Sequence, residues 1–446
     1  MDSQLLFAVL ASIVLLLLLV LRFRLHAFLA LLLAAIFCGL LAGMPGLDIV
    51  ETITKGMGGT LGFVATIIGL GAILGGVLEH SGGTQALAQW LLHKLGEERA
   101  SLAFVLAGFL VAIPVFFDVA FILLVPMLYA LGRKTARSLL FFGIPLLAGL
   151  ATTHAFIPPT PGPIAVADIL TADLGWVIAL GFVVGLPTVL VAGLWWGKYC
   201  GERYHCAAPA FSPEEGTDKP PPIALLLLLI LLPITLILAN TLTKMLVDQG
   251  NWPANAFTDS VQFLGHPYVA LLLACLLALY FLGVSRGVSA GDLQALATRA
   301  LLPAGTIILI TGAGGVYKQM LVNSGAGQQL ASLLLTWPIW PPVLAFLLAG
   351  LVRVLQGSAT VAMITAAGLL APVLTLYEMS APQLALVVLS IAAGGSTLSH
   401  VNDSGFWLVK EYLGMDESTT LRTWTLMTLW LSLTALAVIL GVWTLV

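Results

Sequence analysis

Five ionisable residues sit inside otherwise apolar stretches of this chain. They are Asp118 in "PVFFDVA", His154 in "THAFIPPTPGP", Arg353 in "LVRVLQGSATVA", and His400 and Asp403 in "LSHVNDSG". An ionisable group within an apolar membrane segment is expensive and marks a substrate or ion pathway by default. The types present suit the handling of a hydroxylated anion. A carboxylate can carry a proton, and an imidazole titrates near neutral pH or donates to hydroxyls. A guanidinium can clamp a carboxylate bidentately or pair with a carboxylate of the protein. Polar neighbours extend the set: Pro158 and Thr160 after His154, then Gln356, Gly357, Ser358 and Thr360 after Arg353, and Asn402 and Ser404 around Asp403. These thirteen residues are the candidate substrate contacts, with Asp118, Asp403, His154 and His400 the candidate proton carriers. Plainer roles compete. Asp118 can cap a helix, the histidines can bond to core carbonyls, and Ser and Thr often cap locally. Gly357 suits a turn. Two histidines with Asp118 or Asp403 could hold a metal, but no HExxH spacing occurs, so neither a metal nor a cofactor is expected beyond the coupling proton.

The elements that must position these residues lie in a membrane. Of 446 residues 60% are apolar and 9% charged, against about 25% charged in soluble domains. The first apolar run has no basic leader or small-residue cleavage site and reads as a retained helix. Cys38, Cys200, Cys206 and Cys275 form no CxxC, and the net charge of −3 gives no reason to expect a nucleic-acid partner. Spans are expected near 4–21, 26–44, 59–79, 175–197, 223–243, 267–284, 300–318 and 422–445. Two longer runs, 101–132 and 342–376, carry a polar middle. As single helices they would be roughly 50 Å long against a hydrocarbon core of about 30 Å. Cut at the middle, each makes a re-entrant hairpin, with non-helical backbone tolerated only inside protein or beside a wet cavity. Residues 138–172 and 383–413 read as broken helices that each cross once. With hairpins at both long runs and the N-terminus outside, the 18 Lys and Arg divide sharply. Only Lys55, Lys244 and Lys318 fall outside, Arg353 stays within the membrane, and the rest fall inside, as the positive-inside rule requires.

The chain carries an internal duplication. "GLGAILGGVLEHSGGTQALAQWLL" (69–92) aligns without gaps on "GAGGVYKQMLVNSGAGQQLASLLL" (312–335), with ten of 24 positions identical. Downstream, "VFFDVA" falls opposite "GSATVA", and His154 opposite His400. The first repeat covers 1–197, with a surface arm at 84–95, and a linker runs over 198–222. The second repeat covers 223–446, with its arm at 326–336. Five crossings and one hairpin per half invert the second repeat relative to the first and leave both termini outside. Inverted repeats with broken helices near the midplane are a recurrent transporter architecture. The symmetry should bring four non-helical loops together, "PVFFDV", "HAFIPPTPGP", "LQGSAT" and "SHVNDSG". Half-helix N-termini there suit a carboxylate.

In "GLGAILGGVLEHSGG", "PVFFDVAF", "THAFIPPTPGP", "LVRVLQGSATVAMITAAG" and "LSHVNDSGFWLVKEY" the sequence resembles the gluconate:proton symporter (gluconate permease) family of the ion transporter superfamily. The resemblance runs over essentially the whole chain. It implies an all-α polytopic importer of gluconate or related sugar acids, coupled to protons, in a bacterial inner membrane, with both termini periplasmic. For the superfamily it implies elevator-type homodimers. Two departures stand where substrate is expected: many members have "FFEVG" where this chain has Phe116 to Ala120 as "FFDVA", and "PPHPGP" where it has Pro158 to Pro163 as "PPTPGP". Another hydroxy acid, or an amino acid such as D-serine, and sodium in place of protons, are the alternatives. A membrane hydrolase built on Asp118, His154 and Ser404 lacks any nucleophile motif.

Overall fold

In the computed structural model, which describes residues 3–135, 137–208, 220–326, 329, 339–375 and 377–446, the chain is helical and the described residues contain no strand. The first half comprises α1 (Ser3–Leu21), α2 (Ala27–Leu41), α3 (Gly46–His80), α4 (Gly83–Leu95), α5 (Ala100–Val111), α6 (Phe117–Thr135), α7 (Leu140–Phe156), α8 (Pro161–Leu170), α9 (Leu174–Val189) and α10 (Trp196–Arg203). The second comprises α11 (Ile223–Asp248), α12 (Ala256–Leu264), α13 (Pro267–Ala278), α14 (Ala290–Asn323), α15 (Pro341–Gln356), α16 (Ala359–Leu374), α17 (Ala381–Gly395), α18 (Ser404–Tyr412), α19 (Glu417–Thr420) and α20 (Leu426–Trp443). A π-helical turn, Leu190–Trp195, joins α9 to α10, and another, Leu421–Thr425, joins α19 to α20. Seven described stretches are long and apolar enough to cross a bilayer: Gly46–His80, Leu140–Leu170, Leu174–Arg203, Ile223–Asp248, Pro267–Arg286, Ala290–Asn323 and Glu417–Trp443.

Helices stop where local chemistry stops them. Ile157 precedes Pro158 and is extended (φ −111°, ψ 110°), as a residue before proline must usually be. Pro161 then opens α8, where its missing N–H costs nothing. Gly357 ends α15 in the left-handed region (φ 86°). Ser358 caps α16 by accepting from the Val361 N–H at 3.4 Å. Ser380 and Gln383 form a capping box on α17, and Asp403 caps α18 by accepting from the Gly405 N–H at 3.1 Å.

The frame is built on α3 and α14, which pack along each other. Both start well before the apolar runs at 59–79 and 300–318. In α3 the early buried residues Ile49, Thr52, Gly56 and Thr60 recur at helical spacing on the face that meets α14. There Asn323 Nδ2 donates to Thr52 Oγ1 at 3.0 Å. The start of α14 is fixed by Ser289, whose hydroxyl accepts from the Asp292 N–H. On the outer side of α14, the Ser12 and Tyr317 hydroxyls bond at 2.7 Å. Tyr268, at the start of α13, donates to the Gly62 carbonyl of α3 at 2.8 Å. One helix has no counterpart among the expected spans. The α12 helix lies in the 243–267 connection, made by an Asn255–Thr258 capping box. The linker expected over 198–222 begins helical, through Arg203, and its part 209–219 lies outside the described residues. So does the arm 326–336, apart from Ala326 and Gln329.

Candidate substrate site

Four interruptions of helix meet in the middle of the fold. They lie between α5 and α6 (residues 112–116), α7 and α8 (157–160), α15 and α16 (357–358), and α17 and α18 (396–403). Three of them reach one cavity of about 550 Å³, and the fourth contributes its flanking helix through Ala151, His154 and Ala155. That volume falls in the roughly 300–1,000 Å³ range of small-ligand sites. The helices α6, α16 and α18 start at the cavity, which their first residues Phe117–Val119, Ala359–Thr360 and Ser404–Gly405 line. Their first-turn N–H groups and positive dipole ends therefore face the cavity.

Ten of the thirteen candidates line this cavity: Asp118, His154, Arg353, Gln356, Gly357, Ser358, Thr360, Asn402, Asp403 and Ser404. They are not equivalent. Asp118 lies in the first turn of α6, one residue inside its start, so it is not the cap. Its side chain is exposed to the cavity, and no hydrogen bond or ion pair within the described residues engages it. His154 Nδ1 and Gln356 Oε1 are shut off from solvent and have no hydrogen-bond partner among the described residues. An orphan buried polar atom costs about 1–3 kcal/mol unless something satisfies it. Both residues line the cavity, so a small side-chain rotation would offer each orphan atom to a ligand hydroxyl.

Arg353 and Asp403 are already engaged with each other. The Arg353 guanidinium donates through Nη2 to Asp403 Oδ2 and through Nη1 to the Gly357 carbonyl. Arg353 is 4% exposed. Asp403 also accepts from Ser399 Oγ and from the Gly405 N–H. Their pairing fixes the turn between α15 and α16 against the turn before α18. Two further bonds reinforce it: His400 Nε2 donates to the Val354 carbonyl at 3.0 Å, and Asn402 Nδ2 donates to the same carbonyl at 2.9 Å. Gly357 sits so close that a Cβ there would lie 2.2 Å from the Asn402 carbonyl oxygen.

Three candidates do not reach the cavity. Pro158 and Thr160 are buried behind it. The Thr160 hydroxyl donates to the Ile157 carbonyl at 2.8 Å, closing its own loop. The departure "PPTPGP" therefore sits outside the cavity wall, whereas the Asp118 departure is in it. His400 is spent on Val354, so the two histidines paired by the duplication have different surroundings.

Sequence reasoning missed several walls of the cavity: Phe116 and Phe117 beside Asp118, Pro303 and Ile307 from α14, and Trp424 and Thr428 from the C-terminal helix. Trp424 and Thr428 are held through Ser399. Trp424 Nε1 donates to Ser399 Oγ at 2.7 Å, and Thr428 Oγ1 accepts from the Ser399 N–H at 3.0 Å. The one advance signal was Pro303, a proline inside an apolar run. No group of three or more His, Cys, Asp or Glu side chains among the described residues is arranged to hold a metal.

Residues 4–446 match the family described as GntP family permease. The chain belongs to that family. This GntP-family chain is 42% identical over 445 residues to the gluconate permease of Pseudomonas aeruginosa, covering 98% of this chain and 97% of the relative. It is 41% identical over 419 residues to the low-affinity gluconate transporter of Escherichia coli (strain K12), covering 93% of each. With the gluconate permease of Bacillus subtilis it shares 36% over 437 residues, covering 96% and 97%. Among solved structures its fold is similar to the YdaH transporter of Alcanivorax borkumensis (TM-score 0.64, 18% identity, 90% of this chain and 89% of that one). It is also similar to MtrF of Neisseria gonorrhoeae (TM-score 0.58, 16% identity, 88% and 83%). This permease is thus a multi-pass membrane transporter and not an enzyme.

Proposed function

We propose that this permease imports gluconate or a close sugar acid across a bacterial inner membrane, coupled to protons, by alternating access. The observation that carries the reading is one cavity, beside three helix starts, that is lined by Asp118, which has no partner among the described residues, and by His154 and Gln356, each with an orphan polar atom. The substrate carboxylate lies at the starts of α16 and α18, near Ser358, Thr360 and Ser404. Its hydroxyls satisfy His154 and Gln356, with Asn402 in reach. Asp118 carries the coupling proton, because Asp403 is committed to Arg353. Arg353 acts by positioning the α15–α16 turn, not by clamping the substrate. Relatives named as gluconate transporters at 36–42% identity support the substrate class.

The same reading holds for the architecture. Two inverted repeats make ten crossings, two of them broken, and α5–α6 and α15–α16 are re-entrant hairpins. The helices around the cavity move as an elevator against the α3–α14 frame within a homodimer, and both termini are periplasmic. The matched series of elements in the two halves, a long helix (α3, α14), a helix pair split at a turn (α5–α6, α15–α16) and a broken pair (α7–α8, α17–α18), supports the duplication.

Uptake of labelled gluconate into liposomes holding the purified protein tests this. An inward proton gradient without a potential should drive accumulation above the external concentration, and Asp118→Asn should abolish that accumulation. Uptake that needs sodium and ignores pH would overturn the proton assignment. Preference for D-serine over every sugar acid would overturn the substrate.

A further inference from the structure

A second cavity, of about 370 Å³, adjoins the first. The two share Phe116, Val119 and Pro303 in their walls. On the far side the second cavity is bounded by the end of α3 and the first half of α14, which bring Glu79, His80 and Arg299. His80 and Arg299 are exposed, so this end is the wet one. Arg299 has no ion-pair partner among the described residues, and its Nε donates only to the Ala295 carbonyl of its own helix, at 3.4 Å.

The partition is the α5–α6 tip, and it is held quite differently from the α15–α16 tip. The latter is tied by the Arg353–Asp403 pair and by two bonds to the Val354 carbonyl. Among the described residues, the backbone bonds of the α5–α6 tip stay within its own chain: Ala112 N–H to Gly108, Ile113 N–H to Leu110, Val115 N–H to Val111 and Ala120 N–H to the Phe116 carbonyl. Among the described residues, no side-chain hydrogen bond ties the tip, residues 112–116, to another element. It rests on α3 at a glycine, where a Cβ on Gly75 would lie 2.1 Å from the Pro114 carbonyl oxygen. A segment seated on bare backbone and apolar contacts opens at lower cost than one tied by buried polar bonds.

We infer that the second cavity continues the substrate path, that the Pro114–Phe116 tip is the gate between the two cavities, and that Arg299 draws the anion to the mouth. This rests on the function proposed above. Charge placed at the mouth of a cleft raises the local concentration of an oppositely charged substrate, and salt removes the effect.

Two cysteine reporters test it: Leu296→Cys, which lines only the second cavity, and Ile307→Cys, which lines the central but not the second cavity. The four native cysteines are buried, and the unmodified chain gives their background. Vesicles are transiently permeabilised, treated with 2-sulfonatoethyl methanethiosulfonate so the reagent reaches both faces, and then washed and resealed before uptake is read. Leu296→Cys should label, its labelling should block gluconate uptake, and gluconate should slow the labelling. Phe116→Ala should speed labelling of Ile307→Cys about tenfold by populating the open gate. Gly75→Ala, which lifts the tip without removing Phe116, should do the same. Arg299→Gln should raise the KM for gluconate about three- to tenfold at low salt, Arg299→Lys should not, and the difference should fade near about 0.5 M salt. Uptake that survives labelling at 296, or an Ile307→Cys rate unmoved by both gate variants, overturns the inference. Gluconate-induced thermal stabilisation of the unmodified protein reads the central site separately. If it persists while labelling fails, the gate alone is wrong; if it is absent, both readings fall.

Discussion

Replacing Gly357 by alanine perturbs the site at one atom. The added Cβ would meet the Asn402 carbonyl oxygen at 2.2 Å, its carbon at 2.7 Å and its side-chain Cγ at 2.9 Å. An ordinary carbon–oxygen contact is about 3.3 Å, so the two turns must part by about 1 Å. The backbone adds its own cost, since φ is 86° and a left-handed L-residue loses roughly 1–2 kcal/mol. Parting the turns stretches the His400 and Asn402 bonds to Val354 and shifts Ser358 and Thr360 in the cavity wall. A displacement of that size at a site of fixed geometry costs about a hundredfold in rate. Initial rates of labelled gluconate uptake should fall by roughly ten- to a hundredfold, with a lower unfolding temperature. Gly58→Ala is the control, because nothing lies within 4 Å of a Cβ there. Wild-type uptake by Gly357→Ala would refute the claim that these two turns are locked together and form the site.

Other substitutions separate positioning from contact. Asp403→Asn strands a buried guanidinium and should cost about 3–5 kcal/mol of stability, part of which Arg353→Met should restore in the double variant, as thermal unfolding would show. His154→Leu and Gln356→Leu remove orphan polar atoms, so they should leave the ligand-free protein at least as stable while gluconate no longer stabilises it. Thr160→Val removes only a loop-closing hydrogen bond and should cost about 1 kcal/mol of stability with no change in the KM for gluconate; a raised KM would place Thr160 against the substrate.

The breaks were legible because proline and glycine announce them. Pro158 forces Ile157 out of the helix, and Gly357 takes a conformation that other residues resist. The polar residues beside the breaks were legible for the same reason, since few polar side chains interrupt such apolar runs. What each one does was not legible. Arg353 and Asp403 lie fifty positions apart in sequence, and only the fold reveals that they answer each other's charge. His154 and His400 look alike by duplication, yet one faces the cavity and the other is consumed by the Val354 carbonyl. The walls from α14 and the C-terminal helix escaped because Ile307 and Thr428 look like any other residue of an apolar helix. The early turns of α3 escaped because a hydropathy reading sees apolar length, whereas Ile49, Thr52 and Gly56 join the helix by packing on α14.

The most direct measurement is an experimental structure of the permease in lipid with saturating gluconate, compared with one lacking it. Gluconate should occupy the cavity bounded by Asp118, His154, Gln356 and Ser358, with hydroxyls on His154 Nδ1 and Gln356 Oε1 and the Arg353–Asp403 pair intact. Ligand bound elsewhere, or clamped by Arg353 after it has left Asp403, would contradict the account.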